Sequence, residues 1–293
     1  MLKYFILFKG APCMDNQDKA YGELGRSVSY DTEYNPKRLF AIPRRSKWQE
    51  LGLDPEHLPF VGFDTWNHYE VSWLNDKGKP CVAKASITYD CCSPNLVESK
   101  SLKLYFNSFN QTQFASVAAL EAQVTEDLIR CIQSPVVIKI LPSQGWSVSE
   151  LQARFEGQCV DNLDISCSVY EIDANLLQTQ NEIVEEVLSS DLLRSNCPVT
   201  NQPDWGSVQV KYRGARISPE SFLKYIVSFR NHQGFHEQCI EQIFVDIMKQ
   251  CKPEYLTVYG RYTRRGGLDI NPYRTSGLLL ENPLDLNVNL MRQ

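Results

Sequence analysis

Glu98–Asn110 reads ESKSLKLYFNSFN, and Ser218–Asn231 reads SPESFLKYIVSFRN. Set 121 residues apart (223 − 102), Leu102 falls on Leu223, Lys103 on Lys224, Asn110 on Asn231 and, just beyond, Phe114 on Phe235. A longer segment of helical spacing follows each. In SVAALEAQVTEDLIRCI, Val117, Leu120, Val124, Leu128 and Ile132 recur every three or four residues. In FHEQCIEQIFVDIMKQC, Cys239, Ile240, Ile243, Phe244 and Ile247 do the same. Ser218 reads as a helix N-cap, with Pro219 and Glu220 in the first turn.

Strand patterns flank both helix pairs. HYEVSWLN and KPCVAKASITYD surround the turn sequence Asp76-Lys77-Gly78 and predict a hairpin. PVVIKILP, bounded by prolines, and LDISCSVYEID predict two more strands. In the second half, WGSVQVKYRG precedes the helices and YLTVYGRYT follows them. The same order appearing twice predicts an α+β chain made of two tandem ββααββ-type modules related by internal duplication. The polar, then acidic stretch Asn175–Ser190 reads as the connection. The expected modules are therefore 14–174 and 175–293. Residues 1–13 stand apart as a disordered extension or a misassigned start, because Met14 opens a more ordinary beginning.

The 293 residues, 43% hydrophobic and 22% charged, are ordinary globular composition. A net charge of −5 argues against broad affinity for nucleic acid or an anionic membrane. The apolar run Tyr4–Phe8 ends at Lys9, too short for a signal peptide, and no segment approaches the ~20 apolar residues of a membrane span. Ten cysteines at irregular spacing, with no CxxC pair, read as reduced thiols of a cytoplasmic protein.

Four groups carry chemistry. In SNCPVTNQPDWGSVQVKYRG, Cys197 offers a nucleophilic thiol and Asp204 a proton donor; alone, the pair is a weak signal, and its usual reading is packing and a turn cap. His236 and Glu237 open a helix, where Glu237 either complements the dipole or accepts from a guanine-like N–H edge. Lys100 and Lys103 form either a solvated basic face or a phosphate site. Arg264, Arg265, Gly266 and Gly267 form either an exposed turn or a backbone nest for phosphate. GxGxxG and Walker A sequences are absent, and the four histidines show no zinc spacing with cysteine.

Taken together, ESKSLKLYFNSFNQ, SNCPVTNQPDWGSVQVKYRG, VSFRNHQGFHEQC and RYTRRGGLDINPYR resemble the NADPH-dependent 7-cyano-7-deazaguanine reductases. These are nitrile-reducing enzymes of queuosine biosynthesis, and the likeness is to their long, two-module form. It runs from about residue 20 nearly to the C-terminus, and residues 1–13 match nothing in the pattern. The resemblance implies a tunnelling fold (T-fold), shared with GTP cyclohydrolase I, and a homodimer. It implies Cys197 as the nucleophile that forms a thioimide and Asp204 as the proton donor. It places His236 and Glu237 on the deazaguanine ring with Val97, Glu98 and Ser99 nearby. Ser99, Lys100, Arg265 and Gly266 would hold NADPH, and no metal is implied. Under the 121 offset, Ala115 and Ser116 stand where the second half has His236 and Glu237, so the halves divide the labour. The rival readings are a zinc-dependent cyclohydrolase on the same fold, a non-catalytic purine- or pterin-binding module, and a nitrilase-type hydrolase.

Overall fold

The structure, a computed structural model, describes residues 30–146, 151–277 and 288–293. The expected extension 1–13 lies outside the described residues. The first half contains β1 (Ala41–Pro43), α1 (Arg45–Glu50), β2 (Val61–Leu74), β3 (Pro80–Asp90), β4 (Asn95–Val97), α2 (Ser99–Asn107), α3 (Val117–Ile132) and β5 (Val136–Pro142). The short strands β6 (Leu151–Gln152) and β7 (Gln158–Cys159) follow. The second half contains β8 (Thr179–Asn196), β9 (Pro203–Ile217), α4 (Pro219–Ser228), α5 (His236–Cys251), β10 (Tyr255–Tyr262) and β11 (Leu268–Thr275), with β12 (Asn289–Leu290) near the end.

Eight strands form one sheet in the order β5-β3-β2-β11-β10-β9-β8-β7. All neighbours are antiparallel except β7 and β8. The halves meet at β2 and β11, whose register runs from Leu268 opposite His68 to Thr275 opposite Val61. Gly62 permits this approach: a Cβ there would stand 2.0 Å from the Tyr273 carbonyl oxygen. The helices cover one face and make two cores, one holding Leu102, Phe106, Leu120, Val124 and Leu128, the other Val208, Phe222, Ile240, Ile243 and Phe244. Phe63, Phe155, Tyr259 and Tyr273 form a smaller cluster.

Local rules explain most elements. The β2–β3 turn is held by Asn75, whose side-chain oxygen accepts from the amides of Lys77 and Lys79, and by Gly78 at φ +73°. The apolar stripes of α3 and α5 are the buried faces expected: Leu120, Val124, Leu128 and Ile132, then Cys239, Ile240, Ile243, Phe244 and Ile247, all at 0% exposure. Ser218 caps α4.

The two helix pairs share a hydrogen-bond frame. Tyr105 donates to Asp127 at 2.8 Å, and Tyr225 to Asp246 at 2.7 Å. Ser101 donates to the Glu98 carbonyl as Ser221 does to that of Ser218, and Ser108 to Tyr105 as Ser228 does to Tyr225. Matched positions are thus 120 apart in the first helices (225 − 105) and 119 apart in the second (246 − 127), rather than the expected 121. Identical letters at 121 misled because the buried, hydrogen-bonded residues define equivalence. The positions matching His236 and Glu237 become Val117 and Ala118.

Two other expectations are corrected. Asn175–Ser190 is mostly strand: β8 begins at Thr179 and runs 18 residues. Its exposed part is stabilised by charge pairs, Glu182 and Glu186 with Arg216 at 2.9 and 3.5 Å, so hydrophobic alternation is missing. LDISCSVYEID is not a strand. Leu163, Ile165 and Ile172 point inward on an extended segment, but they pack against the second core instead of pairing in the sheet. Val160 and Leu177 belong to that same core.

Candidate active site

A cleft opens where the halves join. Trp66, Leu96, Val97, Glu98 and Ser99 line it from the first half, and Cys197, Pro198, Asp204, Phe235, His236, Glu237, Arg265 and Ile270 from the second. The β2–β11 pairing sets the two groups face to face, with Trp66 opposite Ile270 in the register.

Cys197 sits in the β8–β9 turn at 2% exposure. Its amide donates to the Gln202 carbonyl at 2.9 Å, and its carbonyl accepts from the Asn201 amide at 3.0 Å, with Asn201 left-handed at φ +55°. The turn therefore fixes the thiol's backbone on both sides. Asp204 is the second residue of β9, paired with Ser195. Its carboxylate lies 3.0 Å from the Arg265 guanidinium and 3.4 Å from His236 Nε2. The His236 ring stacks on Tyr262 with centroids 3.8 Å apart, and its Nδ1 has no hydrogen-bond partner in the structure.

Glu237 is in the first turn of α5 and 3% exposed. Burial pushes its carboxyl up to about 7; the negative charge of Asp64 adds to this, while Arg44 and His236 oppose it. Its Oε1 has no hydrogen-bond partner in the structure. A buried acceptor without a partner is costly, and it suits a ligand that brings N–H donors. Glu98 contrasts with it. Both its carboxylate oxygens cap α2, accepting from the amides of Lys100 at 2.8 Å and Ser101 at 2.7 Å. Burial raises its pKa, and the two amides pull it down.

Of the residues expected at the cofactor, Ser99 and Arg265 line the cleft, and Lys100 and Gly266 do not. Lys100 lies in the first turn of α2. Gly266 and Gly267 take φ +62° and +79°, at the tip of a turn in which the Arg265 amide donates to the Leu268 carbonyl and the Leu268 amide to that of Arg265. Those two amides are used within the turn, which makes the stretch a tight hairpin. Lys103 pairs with Glu70 at 3.0 Å and lies against Gly266. The basic groups Lys100, Lys103, Arg264 and Arg265 thus gather on α2 and this hairpin.

Sequence reasoning missed the buried charged layer whose Asp64 and Arg44 act through space on the Glu237 carboxyl. Arg44 pairs with Asp64; Arg274 lies 2.8 Å from Asp64 and 2.7 Å from Glu241, and Arg44 lies 3.8 Å from Glu241. All four are at most 2% exposed. Removing one member of such a set strands a buried charge, at a cost of about 3–5 kcal/mol. Its members come from four separated stretches, so spacing carries no trace of it. The one available signal was Glu241, a second acid four residues after Glu237 and so on the same side of the helix.

Residues 30–140 match the family model "Nitrile reductase, 7-cyano-7-deazaguanine-reductase N-term", and residues 203–278 match "QueF-like protein". A protein of Legionella pneumophila (strain Lens), named NADPH-dependent 7-cyano-7-deazaguanine reductase, is 58% identical over 271 residues, 92% of this chain and 94% of that one. The chain belongs to the NADPH-dependent 7-cyano-7-deazaguanine reductase family. Two further members of this reductase family, from Desulfotalea psychrophila and Ralstonia nicotianae, are each 51% identical. They cover 86% and 87% of this chain, and 92% and 93% of their own lengths.

Proposed function

We infer that this chain is an NADPH-dependent nitrile oxidoreductase that converts 7-cyano-7-deazaguanine to 7-aminomethyl-7-deazaguanine, a step of queuosine biosynthesis. The observation that carries the reading is one buried cleft in which Cys197, Asp204 and an unpartnered Glu237 meet. Glu237, with His236 beside it, accepts from the ring's N–H edge, and Val97, Glu98 and Ser99 close the other side. Cys197 adds to the nitrile carbon and gives a thioimide, a far better hydride acceptor than the nitrile. Asp204 delivers the proton to nitrogen, held in place by Arg265 and His236. NADPH, when bound, supplies hydride, twice for this four-electron change. Ser99, Lys100, Arg265 and Gly266 hold it, with Lys103 beside them. The clustered cations on α2 and the glycine tip fit its phosphates.

The shared helix-pair frame supports a duplicated ββααββ unit of the tunnelling fold, divided as 14–174 and 175–293. The same reading makes the chain a cytoplasmic homodimer acting on a free base, without nucleic-acid or membrane partners. No described helix is long and apolar enough to cross a membrane. Among the described residues, the one group of three metal-ligating side chains already gathered together, Asp90, Cys91 and Cys92, lies outside the cleft.

The test is NADPH absorbance on adding 7-cyano-7-deazaguanine, with the amine product counted. Two NADPH consumed per amine are expected. No consumption, or acid and amide as products, would overturn the reading in favour of a binding module or a hydrolase.

A further inference from the structure

The β3 strand ends in Asp90, and the turn after it carries Cys91 and Cys92. The two sulfurs stand 3.7 Å apart. One ligand atom from each of the three residues lies within 4.8 Å of the other two. Two thiolates bound to one tetrahedral zinc-class ion at about 2.3 Å each stand ~3.8 Å apart, from 2 × 2.3 × sin 54.7°. The sulfur spacing already present is thus that of two corners of such a site.

The turn is held in this shape by its backbone. Asp90 Oδ1 accepts from the Cys92 amide at 2.7 Å, which fixes the carboxylate and leaves its second oxygen for a ligand. The Cys91 amide donates to the Gly62 carbonyl at 3.1 Å, and the Ser93 amide to the Asp90 carbonyl at 3.1 Å. Cys91 is buried, whereas Asp90 and Cys92 are exposed. An ion therefore enters from solvent and keeps one position for water, with a buried thiolate at its back. None of the three residues lines the catalytic cleft, although the charge of Arg274 reaches both thiols.

We propose that Asp90, Cys91 and Cys92 form a binding site for one thiophilic divalent cation of the zinc class. Binding is an exchange without redox change: two S–H bonds break, two metal–sulfur bonds form, and two protons leave to solvent.

The test is titration with Cd(II), whose thiolate bonds give an ultraviolet charge-transfer band, under a non-thiol reductant. One cadmium per chain is expected, with a band that survives in Cys197→Ala, where the catalytic thiol is gone. Cys92→Ser should lose about half the band and bind roughly tenfold or more weakly, since even outer groups around a metal carry 10–100-fold. Asp90→Asn should weaken binding and keep the band. Metal-free Cys92→Ser should reduce the nitrile at the parent rate, which shows that the variant is folded. An unchanged band and stoichiometry in Cys92→Ser, loss of the band in Cys197→Ala, or no band in the parent protein would overturn the proposal.

Discussion

Glu98 and Glu237 occupy comparable places, each a buried acid at the N-terminal end of a helix, one in each half. The helix pairs around them share the same tyrosine–aspartate and serine–carbonyl hydrogen bonds. Yet Glu98 has both oxygens satisfied by backbone amides, and Glu237 keeps one oxygen unpartnered in the structure. In the first half the acid supports the fold; in the second it is held against the charge of Asp64 and left open to the cleft. A repeated frame does not repeat a site. What distinguishes the halves is which polar groups the frame leaves without partners.

If the chemistry belongs to the second half, Cys197→Ala should abolish it. The expected loss of turnover is at least about 10⁴-fold, and no covalent adduct with substrate should appear in intact-mass spectra. An adduct persisting in that variant would move the nucleophile to another cysteine and break the comparison. Asp204→Asn keeps the shape and removes the donor. Its kcat should fall by roughly 10²–10⁴ while substrate still binds. Near-normal turnover would reduce Asp204 to an ion-pair partner of Arg265.

Glu237 sharpens the comparison in two ways. Glu237→Leu should impair adduct formation even without NADPH, by about 1.5–3 kcal/mol for each charge-assisted bond lost. Its folded pKa of about 7 lies above the ordinary 4.5, so its ionised form is disfavoured in the folded chain. The stability this group contributes is fully present below about pH 4.5 and lost as pH rises towards 7. Glu237→Gln should therefore be the more stable protein at pH 8, by roughly 3 kcal/mol, and the difference should shrink at pH 4.5. Denaturant melts at the two pH values decide it. Substrate affinity should run the other way, falling as pH drops below 7, because a protonated carboxyl cannot accept from both donors.

The smallest effect is expected in the first half. Lys100→Ala should raise the KM for NADPH and leave adduct formation normal, stalling only at hydride transfer in a single-turnover assay. Failure at the adduct step would show that the first half also serves the ring.

The sequence made the helices legible because Leu120, Val124 and Leu128, like Ile240, Ile243 and Phe244, obey one period with no competing signal. It misread β8 because Glu182, Glu185 and Glu186 stabilise an exposed strand through charge pairs that look like linker composition. It misread LDISCSVYEID because period-two alternation reports an extended chain with one inward face, and a helical core receives such a face as well as a sheet does. Cys197, Asp204, His236 and Glu237 were legible as motifs, because thiol, acid and His-Glu pair lie in short stretches; Trp66 and Ile270, which join them in the cleft, carry no such mark. Arg44, Asp64, Glu241 and Arg274 were not, because their mutual contact exists only after β2 has met β11.

That joint between β2 and β11 also bears on heredity. In an oligomer of identical subunits every substitution is written at all equivalent positions at once, so a residue that suits one side of a shared cleft is imposed on the other. Here the two sides of the cleft are encoded at separate places in one gene and arrive in a fixed one-to-one ratio. A substitution on one side of the cleft, at Val97 or Ser99, leaves His236 and Glu237 on the other side unchanged.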